Sequence, residues 1–292
     1  MKIIATGITG LVGSRAAELN PDLTFVDISI ESGISILDPP ALEKVFIDNP
    51  DAIAVLHLAA FTDVNTAWAQ NKDTSGLCYQ LNVTGTQNIV NLCQKYNKYL
   101  IHISTDYVFD GTKEGKYLET DTPNPIEWYG ETKYLAEKVV LDSGIKAAIL
   151  RLAFPYRASF EPKKDIIRKL IEGFRTGKLY SQWTDHFTSP TFIDDIAPAI
   201  RLFIDNQYTG IYHCCGSSSQ SPFDMCQTIA EVFGFDKSLV VASTLADYVK
   251  TLPSGSRPWQ KNLGLDNSKI TALGIKMKTL REGLVEMKKQ LD

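Results

Sequence analysis

The chain has 292 residues, 44% of them apolar and 22% charged, with a net charge of −4 at neutral pH. That length holds one large domain or two unequal ones. The acidic balance and the lack of a dense Lys/Arg block exclude a nucleic-acid partner, and no stretch reaches the roughly 18 apolar residues of a membrane span. A soluble, cytoplasmic protein with no membrane partner is expected.

The apolar opening Met1–Ala5 stops at Gly7, which reads as a buried first strand rather than a leader. Lys2–Thr6 is that strand, and Leu11–Leu19 the first helix. Leu23–Val26 and Ala52–Leu58 read as the next strands, with a helix over Pro40–Ile47 between them whose proline sits near its start. Tyr79–Tyr96 reads as a helix, Tyr99–Ser104 as a strand, Tyr129–Leu141 as a helix and Ala147–Leu152 as a fifth strand. Runs such as Ala148-Ile149-Leu150 lack alternation, as strands covered on both faces do. This alternation predicts an α/β fold, a doubly wound, Rossmann-like parallel sheet over residues 1–152 that binds a dinucleotide. From about Phe154 the rhythm changes. Helices over Lys163–Arg175, Asp194–Ile204, Pro222–Phe233 and Thr279–Lys288, with strands over Gly210–Cys214 and Leu239–Ala242, predict a smaller, mainly substrate-binding α/β part over 153–292. Part of 180–215 is expected to rejoin the sheet.

Gly7-Ile8-Thr9-Gly10-Leu11-Val12-Gly13 follows the first strand and opens the first helix. Glycines alone also mark ordinary turns, but in this context they cradle a pyrophosphate at a helix N-terminus. Asp27, 20 residues after Gly7, is read as the end of the second strand. There it would bind the adenosine ribose hydroxyls and disfavour a 2′-phosphate. Arg15 lies close enough in sequence to soften that preference, so both NADH and NADPH are expected cofactors. Ala59, Ala60, Phe61 and Thr62 close the third strand, and the small residues there let a cofactor approach.

Ser104 and Thr105 both fall at the end of the fourth strand, where hydroxyls of such sheets face the ligand crevice, and chemistry alone does not choose between them. Tyr129 and Lys133 stand four residues apart on one helix face. A free phenol, with a pKa of about 10, is a poor acid at neutral pH. A nearby ammonium favours the phenolate and brings its proton within reach. Coupled to a dinucleotide loop, the pair predicts transfer of a hydride and a proton across a C–OH/C=O pair. The five cysteines (Cys78, Cys93, Cys214, Cys215 and Cys226) form no CxxC pair, and His213-Cys214-Cys215 has no second ligand cluster at zinc-like spacing. Buried reduced thiols and no metal site are expected. His57, His102, His186 and His213 are scattered and receive no catalytic role; His57 and His102, in strands, are expected to be satisfied core or crevice residues.

The set TGITGLVGS, HLAAFTDV, LNVTGTQNIV, HISTDYVFDG and YGETKYLAEK, with Thr184–Thr191, Arg257-Pro258 and Leu265-Asp266, resembles the extended short-chain dehydrogenase/reductases. More narrowly it resembles the dTDP-4-dehydrorhamnose reductase family, from Lys2 to about Leu284. The first motifs specify only the superfamily; STDYVFDG and the late elements narrow it. The resemblance implies NADH- or NADPH-dependent reduction of the C4 keto group of a nucleotide-linked 6-deoxy sugar, dTDP-4-dehydro-L-rhamnose foremost. It implies Thr105 as the hydroxyl that holds the reacting carbonyl oxygen, Tyr129 as the proton donor, and Lys133 as the residue that binds nicotinamide ribose and tunes the phenol. Gly7, Gly10, Leu11, Val12 and Gly13 match the pyrophosphate loop, and Ala60 and Thr62 the cofactor-facing end of strand three. Asp106 matches a position beside the sugar, Phe154 and Arg257 the substrate side, and Asn82 the asparagine of the helix behind the site.

Three departures fall on that substrate side. Arg151-Leu152-Ala153-Phe154-Pro155-Tyr156 stands where the family shows Arg-Thr-Ser-Trp-Val-Tyr, so Phe154 replaces a tryptophan. Phe160–Asp165 lacks an Asn-Phe element, and Asp185-His186-Phe187-Thr188 stands for Asp-Gln-Xaa-Gly. The rivals are a reductase or epimerase of another nucleotide sugar, and a non-catalytic regulatory subunit that keeps the cofactor site. The intact Ser/Thr–Tyr–Lys set argues against the second. A homodimer is left open.

Overall fold

In the computed structural model, which describes residues 1–291, strand β1 (Lys2–Thr6) forms where Ile3, Ile4 and Ala5 bury their side chains completely. β2 (Thr24–Ile28) and β3 (Ala54–His57) pair with it in parallel, and β4 (Tyr99–Thr105) pairs in parallel with β3. With β5 (Ala147–Leu152) and the Gly210–His213 strand they make a six-stranded sheet, ordered Gly210–His213, β5, β4, β3, β1, β2. The order switches between β1 and β3. In doubly wound sheets the loops after the two strands at such a switch flank the ligand crevice. The expected α/β class and parallel central sheet are those observed.

Three local expectations change. β2 runs on to Ile28, so Asp27 is its penultimate residue. The segment read as one helix over Tyr79–Tyr96 is a short α-turn (Leu77–Tyr79), a π-turn (Gln80–Thr84) and an α-helix (Gly85–Lys95). Asn82 sits inside the π-turn, its carbonyl accepting from the Thr86 hydroxyl at 2.7 Å; a side-chain hydroxyl bonded to the i−4 carbonyl competes with regular helix. The late short strand is Ala242–Ser243, paired with Gln182–Trp183, whereas Leu239 ends a 3-10 turn that Asp236 caps through the Ser238 amide.

The chain forms two compact units. One comprises Met1–Val108, Pro123–Arg151 and Ala197–Tyr212. Its core gathers Ile4, Leu42, Phe46, Val55, Leu100 and Ile149, each side chain of this kind stabilising the fold by about 1.5–3 kcal/mol when fully buried. The other comprises Phe109–Thr122, Leu152–Ile196 and the chain from His213 onward. There the Ile166–Thr176 helix buries Ile167, Leu170, Ile171 and Phe174, a single apolar stripe at helical spacing. Asp165 caps its start and Gly177, in the left-handed region, ends it. Among the described residues no helix is long and apolar enough to cross a membrane.

Candidate active site

Helix α1 (Leu11–Glu18) begins at Gly10, which brings no side chain to cap it, and its first turn holds no carboxylate. Leu11, Val12 and Gly13 form that first turn. A helix start of this kind directs amides and the positive end of the peptide dipole at an incoming anion. Gly7 turns the chain with φ +63°, and a Cβ there would lie 2.8 Å from the Ala59 nitrogen. Only glycine combines that backbone with so close an approach. Asp27 accepts from the Ser29 hydroxyl through Oδ2 at 2.9 Å, while its Oδ1 is buried with no hydrogen-bond partner. A buried carboxylate oxygen lacking a donor is costly, and a ribose hydroxyl is the donor it suits. The loop and Asp27 therefore fit the diphosphate and adenosine ribose of a dinucleotide. Two further charges frame this end. Arg15 is ion-paired with Glu18 at 2.9 Å, and Glu31, which the sequence did not single out, accepts from the Thr9 hydroxyl at 3.0 Å.

Ala59, Ala60 and Thr62 follow β3 as irregular chain. Ala59 N–H donates to the Thr6 hydroxyl at 3.1 Å, and Phe61 N–H to Asn82 Oδ1 at 2.8 Å. Asn82 Nδ2 in turn donates to the Thr132 hydroxyl at 2.9 Å. Asn82 thus ties the loop after β3 to the helix that carries Tyr129.

That helix, Trp128–Asp142, starts at the buried carboxylate of Glu127, which accepts from the amides of Tyr129 at 2.9 Å and Gly130 at 2.6 Å. A Cβ on Gly130 would sit 2.1 Å from the Tyr107 carbonyl oxygen. Glycine here lets the helix rest directly on the Asp106–Val108 turn that follows β4. Thr105, the last residue of β4, is thereby brought beside the Tyr129 phenol. Burial pushes that phenol's pKa up, the Thr105 hydroxyl draws it back down, and the nearby Asp106 and Glu127 carboxylates raise it. Lys133, one helical turn on, donates to the Ile103 carbonyl at 2.7 Å. Burial lowers its pKa to about 8, against the opposing pull of Glu137.

The two strand-end hydroxyls, equivalent in the sequence, have different partners. Ser104 donates to Glu137 Oε1 at 2.6 Å. Glu137 also receives Arg151, Nε at 2.8 Å and Nη2 at 2.6 Å, and both charged side chains are fully buried. Ser104 thus belongs to a structural network linking β4, β5 and the Tyr129 helix. Thr105 donates to Asp106 Oδ1 at 2.9 Å. Asp106 is buried with Oδ2 unpartnered, and burial raises its pKa to about 7. Glu137 and Arg151 were missed from sequence; the available signal was Glu137 falling four residues after Lys133 on the same helix face.

His57 is satisfied as expected, by the Thr6 hydroxyl at 2.6 Å and the Thr86 hydroxyl at 3.0 Å. His102 is not: neither ring nitrogen has a partner. It packs 5.3 Å from His57 on the neighbouring strand, whose own nitrogens are already taken. Burial, with the Lys133 charge adding to it, holds the pKa of His57 down to about 3 and that of His102 well below the ordinary range.

Phe154 and Arg257 belong to the second unit, and Thr105 and Asp106 to the first. Phe154 has φ +42°, unusual for a bulky residue, and its ring meets His186 edge-on at 6.5 Å. The Arg257 guanidinium lies 3.4 Å over the Trp259 ring. All five cysteines are buried and outside any disulfide, and His213 Nδ1 lies 3.0 Å from the Asp266 carbonyl.

The family model for the RmlD substrate binding domain matches residues 1–292. The chain belongs to this family. It is 30% identical over 288 residues to the dTDP-4-dehydrorhamnose reductase of Aggregatibacter actinomycetemcomitans, covering 94% of each protein. It is 27% identical over 302 residues to methionine adenosyltransferase 2 subunit beta of Mus musculus, covering 98% of this chain and 86% of the mouse protein. Among solved structures, a dTDP-4-dehydrorhamnose reductase of Clostridium acetobutylicum superimposes with a TM-score of 0.87 at 25% identity, over 100% of this chain and 99% of that one. The family expected from the motifs is the family these relatives represent.

Proposed function

We propose that this RmlD-family protein reduces the C4 keto group of a nucleotide-linked 6-deoxy sugar with NADH or NADPH, acting in the cytoplasm, with dTDP-4-dehydro-L-rhamnose as the foremost substrate. The observation that carries the reading is the Thr105 hydroxyl beside the buried Tyr129 phenol, one helical turn from Lys133, in a unit whose first helix opens on an uncapped glycine loop. Loop residues Gly7, Gly10, Leu11, Val12 and Gly13 would hold the diphosphate, Asp27 the adenosine ribose, and Ala59, Ala60 and Thr62 the far side of the cofactor. Bound dihydronicotinamide supplies the hydride.

The remaining work falls to the chain's own side chains. Tyr129 gives its proton to the substrate oxygen. Its raised pKa keeps that proton in place at neutral pH, and an oxygen acquiring alkoxide character is basic enough to take it. Thr105 holds the same oxygen in register. Lys133, still largely cationic at neutral pH, stabilises the phenolate that proton transfer leaves. Asp106, with its free Oδ2, accepts from a sugar hydroxyl. Phe154 and Arg257 are the second unit's candidates for substrate binding. The test is a panel of nucleotide-linked keto sugars with NADH: consumption of the dTDP-linked 4-keto-6-deoxy sugar supports the reading, and turnover confined to another sugar replaces it. The match to a protein named as a subunit makes the regulatory rival concrete; that rival requires no cofactor oxidation with any sugar.

Two expected results follow from the site. Thr105→Val should cut kcat/KM by about 10²-fold, the scale for losing one hydrogen-bond donor at a reacting oxygen. Ser104→Ala should act on stability far more than on rate, because its hydroxyl serves Glu137. Steady-state kinetics in saturating cofactor check the order, and the reverse order would assign the substrate oxygen to Ser104. Asp27→Ala should move the kcat/KM ratio toward NADPH, since the carboxylate opposes a 2′-phosphate and Arg15 is engaged by Glu18. A wild-type protein strongly selective for NADPH, with a ratio unaltered by the substitution, would place Asp27 outside the ribose site.

A further inference from the structure

His57 is a buried titratable side chain that the proposed reaction does not use, and both of its ring nitrogens are engaged. It ends β3 and stands beside Thr6, the last residue of β1, in the register of the sheet. Its contacts belong to a continuous path of hydrogen bonds whose members all lie in the first unit. At one end the Ala59 amide donates to the Thr6 hydroxyl at 3.1 Å, and Thr6 Oγ1 lies 2.6 Å from His57 Nδ1. His57 Nε2 lies 3.0 Å from the Thr86 hydroxyl, which donates to the Asn82 carbonyl at 2.7 Å. From Asn82 the path runs through Nδ2 to the Thr132 hydroxyl at 2.9 Å, and from that hydroxyl to the Tyr129 carbonyl at 2.8 Å.

The direction of each bond follows from its partners. Thr86 spends its one proton on a carbonyl, so toward His57 its oxygen accepts and Nε2 carries the ring proton. Burial, with the Lys133 charge adding to it, holds the His57 pKa down to about 3. The ring is therefore neutral at pH 7, and Nδ1 accepts from the Thr6 hydroxyl. The Phe61 amide closes the path on itself by donating to Asn82 Oδ1 at 2.8 Å. Both Ala59 and Phe61, in the loop after β3, are thus tied to Asn82: Phe61 directly, Ala59 through Thr6, His57 and Thr86. Asn82 itself lies in the π-turn, a departure from regular helix that recurs at functional sites.

Each end of the path meets a part of the proposed machinery. The Ala59 backbone packs against the glycine loop, where a Cβ on Gly7 would lie 2.8 Å from the Ala59 nitrogen. The far end holds the helix turn that presents Tyr129. We propose that His57 is a positioning residue for the reaction, accepting from Thr6 and donating to Thr86 so that the cofactor-facing loop and the Tyr129 helix are held as one piece. The inference rests on the proposed reading for the roles of that loop and of Tyr129, and deepens it by giving a histidine outside the reacting groups a part in both. A plain aromatic ring would fill the same space, but only a side chain with an acceptor on one side and a donor on the other completes the path.

Titration of the full chain with NADH, followed by steady-state kinetics, tests this. His57→Phe keeps a ring without either polar atom. It should raise the dissociation constant for NADH about tenfold, the scale of a buried hydrogen bond left unmade, and lower kcat at saturating NADH by a similar factor. His57→Gln, which retains one acceptor and one donor, should stay within about threefold of wild type on that scale. Thr86→Val breaks the path at the next group and should reproduce the His57→Phe affinity, and the double variant should bind NADH no more weakly than either alone, the mark of residues acting in one network. Leu42→Ala truncates the core of the same unit and separates positioning from stability: it should lower the urea midpoint and leave NADH affinity unchanged. A His57→Phe protein with wild-type affinity and kcat overturns the proposal, as does full additivity with Thr86→Val, or a Leu42→Ala protein that loses NADH affinity to the same degree. If His57→Phe does not fold, Thr86→Val against wild type decides. NADH binding that responds as described without turnover of any keto sugar would leave the path standing while the reductase reading falls. Turnover with affinities indifferent to His57 and Thr86 would do the opposite.

Discussion

Tyr129→Phe is expected to lower turnover by about 10²–10⁴-fold, the range contributed by a positioned general acid, while cofactor affinity stays within a few-fold of wild type. The substitution deletes the proton and one oxygen but keeps the ring, which packs with Ala67, Cys78 and Trp128 and meets Tyr107 edge-on at 5.7 Å. Neither the glycine loop nor Asp27 is touched. Single-turnover kinetics with bound cofactor, alongside a titration of cofactor binding, separate the two effects. A rate within a few-fold of wild type would remove Tyr129 from the proton-transfer step.

Glu137→Ala is expected to destabilise the fold by about 3–5 kcal/mol, the usual consequence of removing one member of a buried ion pair. Arg151 would be left charged and 1% exposed, and Ser104 would lose its acceptor. The midpoint of urea unfolding reports the loss. The double variant Glu137→Met/Arg151→Met should recover much of it, because it removes both buried charges and leaves neither stranded. A single variant within 1 kcal/mol of wild type would mean that water or another group satisfies Arg151. Among variants that remain folded, activity should fall as well, because the network holds the end of β4 against the helix that carries Tyr129 and Lys133.

Much of this architecture could be read in the chain, and the limits have physical causes. β1, β5 and the Pro222–Phe233 helix match the sequence reading residue for residue, since each is an apolar run or stripe bounded by its own turn or capping residues. The glycine loop and the Tyr129–Lys133 pair were visible because each is compact in sequence. The choice between Ser104 and Thr105 was not, since Ser104 is claimed by Glu137, 33 residues away. The π-turn around Asn82 was hidden for a similar reason, its side chain being drawn to Phe61 and Thr132. The path through His57 joins Thr6, 51 residues before it, to Thr86, 29 residues after it. Only the fold shows that both ring nitrogens are spent on them.

The proposed reaction would deliver a hydride from the reduced cofactor to C4 of the sugar. It is tested most directly by supplying NADH deuterated at the transferring position, with dTDP-4-dehydro-L-rhamnose, and locating the label by NMR. The expected result is one deuterium on the sugar C4 for each cofactor oxidised, and none in the Tyr129→Phe protein over the same interval. An unchanged sugar with intact cofactor, or a sugar epimerised with no net oxidation of NADH, would contradict it.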